Sequence, residues 1–85
     1  MMDNKIKVAQ IGTGKMSVYT MRYVYEKGGE IVAAIDVDSD RIGKDISEIM
    51  GGEPRNVRIT HIDEAETVLK ETKPDVAIVT TKSLL

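Results

Sequence analysis

Gly12, Gly14 and Asp36 are the residues whose types and spacing give this chain a chemistry. The two glycines stand in Gly12-Thr13-Gly14-Lys15-Met16-Ser17, after the apolar positions Ile6, Val8 and Ile11 and before a helical pattern. Strand, glycine turn and helix, in that order, form a frame that takes the pyrophosphate of a dinucleotide. Gly12 lets the backbone turn sharply off the strand at positive φ. Gly14 lets a pyrophosphate lie against the main chain, and the following helix offers free N–H groups and the positive end of its dipole. Gly12, Thr13, Gly14, Lys15 and Met16 are therefore the expected pyrophosphate-binding residues. Lys15 adds a charge contact, its alternative being a solvated first-turn lysine. Ser17 takes the place of a third glycine and is small enough for close packing of helix on strand.

A second apolar run, Ile31 to Ile35, ends at Asp36, roughly twenty residues past the turn, where an acid accepts hydrogen bonds from the adenosine ribose. The same charge disfavours a 2′-phosphate. At about 4 Å and an effective dielectric of about 20, a pair of like charges costs about 4 kcal/mol. The expected cofactor is thus NAD or NADP, with NAD favoured by Asp36. Arg41 can screen that charge, which keeps dual use open, or it is an ordinary surface arginine. Thr80 and Thr81 close the last strand beside the turn and are candidates to touch the nicotinamide side. They are also simply good strand residues.

The elements that must position these residues follow from hydrophobic spacing. Ser17, Met21, Val24 and Gly28 form a small and apolar row on one helix face. Ile31 to Ile35 is apolar throughout, as in a parallel sheet covered on both faces. Asp45 and Glu48 have capping-box spacing and predict a short helix starting at Asp45, stopped by Gly51-Gly52-Glu53-Pro54. Val57 to Thr60 reads as a short third strand. Asp63 and Glu66 repeat the capping spacing at the head of a helix whose buried side is Ala65, Val68 and Leu69, with Pro74 after its end. Val76 to Val79 is a fourth strand. His61 reads as structural or exposed, and Tyr19, Tyr23 and Tyr25 cluster on one helix.

Strands alternating with helices specify a Rossmann-type α/β fold, a partial doubly wound parallel sheet of about four strands in the order 3-2-1-4. The ligand crevice then lies at the carboxyl ends of strands one and four, where Gly12 to Lys15, Asp36 and Thr80-Thr81 converge. The fourth strand is apolar on both alternating sets, like an interior strand, and natural folds avoid exposing such an edge. The expectation is that residues 1–85 are the N-terminal dinucleotide-binding domain of a longer enzyme, or a small domain whose edge pairs with a second copy.

Composition narrows the classes. Of 85 residues, 41% are hydrophobic and 31% charged, and the net charge is −2. Such a balance offers no basic surplus for nucleic acid or anionic membrane, so neither is expected as a partner. The chain has no cysteine, hence no disulfide, thiol nucleophile or thiolate metal site, and no metal site is expected. Met1-Met2-Asp3-Asn4-Lys5 lacks the apolar run of a signal peptide, so the expected location is cytoplasmic.

The turn Gly-Thr-Gly-Lys-Met-Ser at 12–17 resembles the Gly-x-Gly-Arg-Met-Gly turn of dihydrodipicolinate reductases. Ala33-Ala34-Ile35-Asp36 resembles their second strand, Gly43 to Ile49 their Gly-x-Asp-x-Gly-Glu segment, and Lys73-Pro74-Asp75-Val76 their entry into strand four. Two positions depart: Ser17 replaces a glycine, and Val79-Thr80-Thr81 stands where those reductases usually carry Asp-Phe-Thr. The helix Tyr19 to Tyr25 and the ending Thr80-Thr81-Lys82-Ser83 are closer to the related 2,4-diaminopentanoate dehydrogenases. The resemblance implies the NAD(P)-binding part of an oxidoreductase acting on a C=N or C–NH₂ bond of an amino-acid-type substrate. It also implies a small-molecule substrate held by a missing C-terminal domain, a homo-oligomer, and no catalytic residue within these 85. The rival is a non-catalytic nucleotide-binding or sensing module that self-associates through its edge strand. A domain for another adenosine ligand is a third reading, since fold alone does not decide.

Overall fold

Apolar strands that must bury both faces, joined by amphipathic helices, leave little choice of topology. In the computed structural model, which describes residues 5–80, they form a four-stranded parallel sheet in the order β3-β2-β1-β4. The elements are β1 (Lys7–Ile11), α1 (Lys15–Glu26), β2 (Glu30–Asp36), α2 (Ser47–Met50), β3 (Ile59–His61), α3 (Ala65–Thr72) and β4 (Val76–Val79), with a 3₁₀ turn at Ile62–Glu64. This is the doubly wound order expected from the sequence.

α1 buries Ser17, Met21 and Val24 of the row read from its spacing, while Gly28 lies past the helix end and is exposed. Met21 and Val24 pack with Val8, Ile31, Ala34, Ile46, Met50 and Ile59 into one core. Truncating a fully buried Met21 to alanine costs about 2–5 kcal/mol, a large share of a small domain's stability. Ile6, expected in the buried strand, is instead 57% exposed. The strand pairs only from Lys7, and its buried stretch is Val8, Ala9 and Gln10.

Neither capping box forms. α2 begins at Ser47 with Ile46 as its cap residue and no side-chain cap. The Asp45 carboxylate instead accepts the amides of Ser47, Arg55 and Val57, each at 2.9 Å. A loop returning from residue 55 offers that carboxylate more donors than a single helix end does. Arg58 pairs antiparallel with Asp45, while the amide of Gly43 reaches the Ile59 carbonyl and that of Ile59 the Lys44 carbonyl. Residues 57 and 58 are thereby drawn to the 43–46 segment, and β3 starts two residues later than expected. Before α3, Asp63 donates its amide to Nδ1 of His61 at 3.0 Å, so His61 caps the 3₁₀ turn. Ala65, Val68 and Leu69 are only half-buried. β4 lies beside β1, pairing Val76 with Val8 and Val79 with Ile11, and leaves Val79 60% exposed.

Candidate nucleotide-binding site

The parallel order brings the carboxyl ends of β1, β2 and β4 together, and the glycine turn leaves β1 there. Gly12 has φ +96° and donates its amide to the Ile35 carbonyl at 2.8 Å, tying the turn to the end of β2. Only glycine takes that conformation without strain. Gly14 differs. Its φ of −77° suits any residue, and a Cβ added there would meet no heavy atom within 4 Å. The protein's own packing gives no reason for a glycine at this position. The bare main chain faces open space, which fits the close approach of a phosphate.

α1 opens at Gly14 without a side-chain cap and without an acidic residue in its first turn. Neither a capping side chain nor a first-turn acid occupies its first amides. Lys15 and Met16 are exposed at the mouth. Ser17 is fully buried and donates its hydroxyl to the Gly14 carbonyl at 2.6 Å, holding the turn on the helix.

Asp36 ends β2 and reaches back to the turn. Its Oδ2 accepts the Thr13 amide at 2.7 Å and the Thr13 hydroxyl, and its Oδ1 accepts the amides of Val37 at 2.6 Å and Asp38 at 3.1 Å. Desolvation alone would push its carboxyl up. The hydrogen bonds from the Thr13 hydroxyl and amide and from Val37 and Asp38 outweigh it and hold the carboxyl below its usual value. Arg41 lies with Nη1 3.7 Å from Asp36 Oδ2 and 3.1 Å from Asp38 Oδ2, the screening position considered for it from sequence.

Beneath the turn lies a polar network that sequence reasoning missed. Gln10 is fully buried in β1 and donates Nε2 to the Gly12 carbonyl at 2.8 Å and to Thr80 Oγ1 at 3.0 Å. Its Oε1 accepts the Thr20 hydroxyl at 2.8 Å. Thr80 donates to the Gly12 carbonyl at 3.2 Å, so its hydroxyl braces the turn. A glutamine among the apolar residues Val8, Ala9 and Ile11 of one strand was the available signal, since buried polar side chains are there to be bonded. Thr81 lies outside the described residues. Among the described residues no cluster of His, Asp and Glu suits a metal ion, and no helix is long and apolar enough to cross a membrane. A separate cleft of about 730 Å³ lies between α1 and the 50–55 loop, where Arg55 stacks 4.0 Å from the Tyr25 ring.

No family model matches the chain. It is similar to proteins named redox-sensing transcriptional repressor Rex. That of Treponema denticola is 39% identical over 94% of this chain and 36% of its own length. That of Caldicellulosiruptor saccharolyticus is 30% identical over 91% of this chain and 32% of its own. The chain thus spans about a third of the curated relatives it matches. Among solved structures, an amine dehydrogenase from Mycobacterium smegmatis superposes with a TM-score of 0.83 at 30% identity, over 92% of this chain and 23% of that one. RSP, solved in complex with β-NADH, superposes at 0.69 with 19% identity, over 91% of this chain and 34% of that one. A further structure of RSP describes it as a Rex-family repressor.

The fold is Rossmann-like, and a dinucleotide ligand agrees with the neighbour solved with β-NADH. Two expectations are corrected. The reading of the chain as part of an oxidoreductase gives way to relatives named as repressors, because one nucleotide-binding frame serves sensing as well as hydride transfer. The expectation that nucleic acid is no partner falls with it. The net charge of −2 belongs to a chain that spans about a third of the relatives' length, so it does not speak for their partners. The curated relatives also carry a different name from the reductases and dehydrogenases that the motifs resemble, while one solved neighbour is an amine dehydrogenase. The shared part is the nucleotide-binding frame.

Proposed function

We propose that residues 1–85 form the NAD(H)-binding domain of a cytoplasmic redox-sensing regulator of transcription. The observation that carries this reading is Gly14, a glycine the fold does not need, facing open space at an uncapped helix start. In this reading the pyrophosphate lies over Gly12, Thr13 and Gly14 and takes the amides of Lys15 and Met16. Lys15 supplies a charge, Asp36 accepts from the adenosine ribose, and Gln10 and Thr80 hold the turn from below. Among the described residues the outer edge of β4 is unpaired, and it is where the sheet is extended. The repressor names of the relatives and the β-NADH complex of RSP support the reading.

The test is a calorimetric titration of this chain with NADH, NAD⁺ and NADP⁺ beside Gly14→Val and Asp36→Ala. The expected result is saturable NAD(H) binding, lost in Gly14→Val with only the small fall in Tm that a poorer helix cap brings, and shifted toward NADP⁺ in Asp36→Ala. Absence of binding by a folded chain overturns the reading.

A further inference from the structure

We infer that the Thr13 hydroxyl occupies the place of a ribose hydroxyl on Asp36 and lowers nucleotide affinity by competing for it. The inference rests on the reading of Asp36 as the ribose acceptor. An ionised carboxylate has about four lone-pair directions. All four are taken: Oδ1 by the amides of Val37 and Asp38, Oδ2 by the amide and hydroxyl of Thr13. The Arg41 guanidinium stands 3.7 Å from Oδ2, and the Asp36 side chain is only 10% exposed. No acceptor direction is left for a ligand.

The four donors are not equally displaceable. Three are main-chain amides, at the glycine turn and just past β2, and they leave only if the backbone moves. The fourth is a hydroxyl that rotates about one bond. A ribose hydroxyl therefore has one route to Asp36, which is to replace Thr13 Oγ1 as donor. Binding exchanges one hydrogen bond to the carboxylate for another, so the ribose contributes little net affinity while the hydroxyl is present.

Replacing Thr13 by valine keeps the shape and removes the internal donor. The free protein is left with an unfilled acceptor, while the complex has it filled by ribose. A change that destabilises only the free form tightens binding. The expected gain is about threefold to tenfold in NADH affinity for Thr13→Val, with a lower Tm without ligand and a larger NADH-induced rise. Thr13→Ser keeps the hydroxyl and is expected to match the wild type in both.

A second comparison needs no variant. In the wild type, 5′-AMP and its 2′,3′-dideoxy analogue should bind within about threefold of each other, because the exchange is nearly neutral. Fluorescence titration of NADH, thermal melts and competition by the two nucleotides measure all of this on the 85-residue chain. NADH affinity in Thr13→Val equal to or below the wild type overturns the inference and leaves the NAD(H) reading standing. So does a dideoxy penalty above about tenfold in the wild type, or, should Thr13→Val not fold, a penalty no smaller in the wild type than in Thr13→Ala. Failure of every form to bind NADH or 5′-AMP overturns both.

Discussion

Asp36 and Asp45 are built alike and placed differently. Each is a carboxylate that gathers main-chain amides, and in each hydrogen bonds from these amides and from a neighbouring side chain, Thr13 for Asp36 and Ser47 for Asp45, overcome desolvation and hold the carboxyl below its usual value. Asp45 takes its three amides from its own loop, residues 47 to 57, and its backbone pairs with Arg58. It closes that loop onto the core beside Ile46 and Met50. Asp36 reaches Thr13 across 23 residues, from the end of β2 to the glycine turn. A satisfied carboxylate is by itself a structural device. What separates the two is position, since only Asp36 stands at the carboxyl ends of the strands, where open α/β sheets bind ligands.

Breaking the two in turn separates stability from binding. Asp45→Ala leaves three amides without their acceptor and is expected to cost on the order of 3 kcal/mol. In a domain of this size that lowers Tm by more than about 10 °C. NADH affinity of the folded fraction should stay at the wild-type value, and an affinity change would mean that the two regions are coupled. Asp36→Ala should do the reverse. Its expected effect is an NADH affinity about tenfold weaker, because the Thr13 amide loses the acceptor that holds the turn and the ribose loses its own, with a smaller fall in Tm. Melting curves with and without NADH, run on both variants, read the contrast directly.

The strand order 3-2-1-4, α1 and its buried row, and the placement of Gly12, Gly14 and Asp36 were legible because period and punctuation are local signals. The misreadings arose where a distant segment outbid a local one. Asp45 and Glu48 have the spacing of a cap, yet Arg55 and Val57 return to claim the carboxylate. His61, read as structural or exposed, is indeed structural: it caps a 3₁₀ turn, a purely local bond, just ahead of the helix that Asp63 and Glu66 had suggested. Gln10 joins Thr20 of α1 and Thr80 after β4, partners 10 and 70 residues away, which no window along the chain brings together.

Acid should sharpen the comparison at smaller cost. Both carboxyls have folded values below the unfolded one, which is about 3.9. Their contribution is thus complete above that value and is lost as pH falls through the folded ones. Urea midpoints should be flat from about pH 7 to 5 and fall below about pH 4. Asp45→Ala starts lower and falls less steeply, since its carboxyl no longer binds a proton on unfolding. An unchanged slope in that variant would place the acid sensitivity elsewhere.

The smallest effect is expected at Lys15. It is exposed in the first turn of α1 and takes part in none of the ion pairs among the described residues. Among the described residues nothing pairs with its charge, so Lys15→Ala should leave Tm unchanged. Toward a pyrophosphate its ammonium acts through partly screened solvent, which limits it to about twofold to fourfold in NADH affinity. That small factor has a signature. It should shrink toward one as ionic strength rises to about 1 M, where the screening length is about 3 Å, while the loss in Asp36→Ala persists because it comes from hydrogen bonds at contact. A Lys15→Ala deficit that survives high salt would instead mean that the lysine donates directly to the phosphate. A deficit absent even at low salt would leave the pyrophosphate to the main-chain amides and the helix dipole alone.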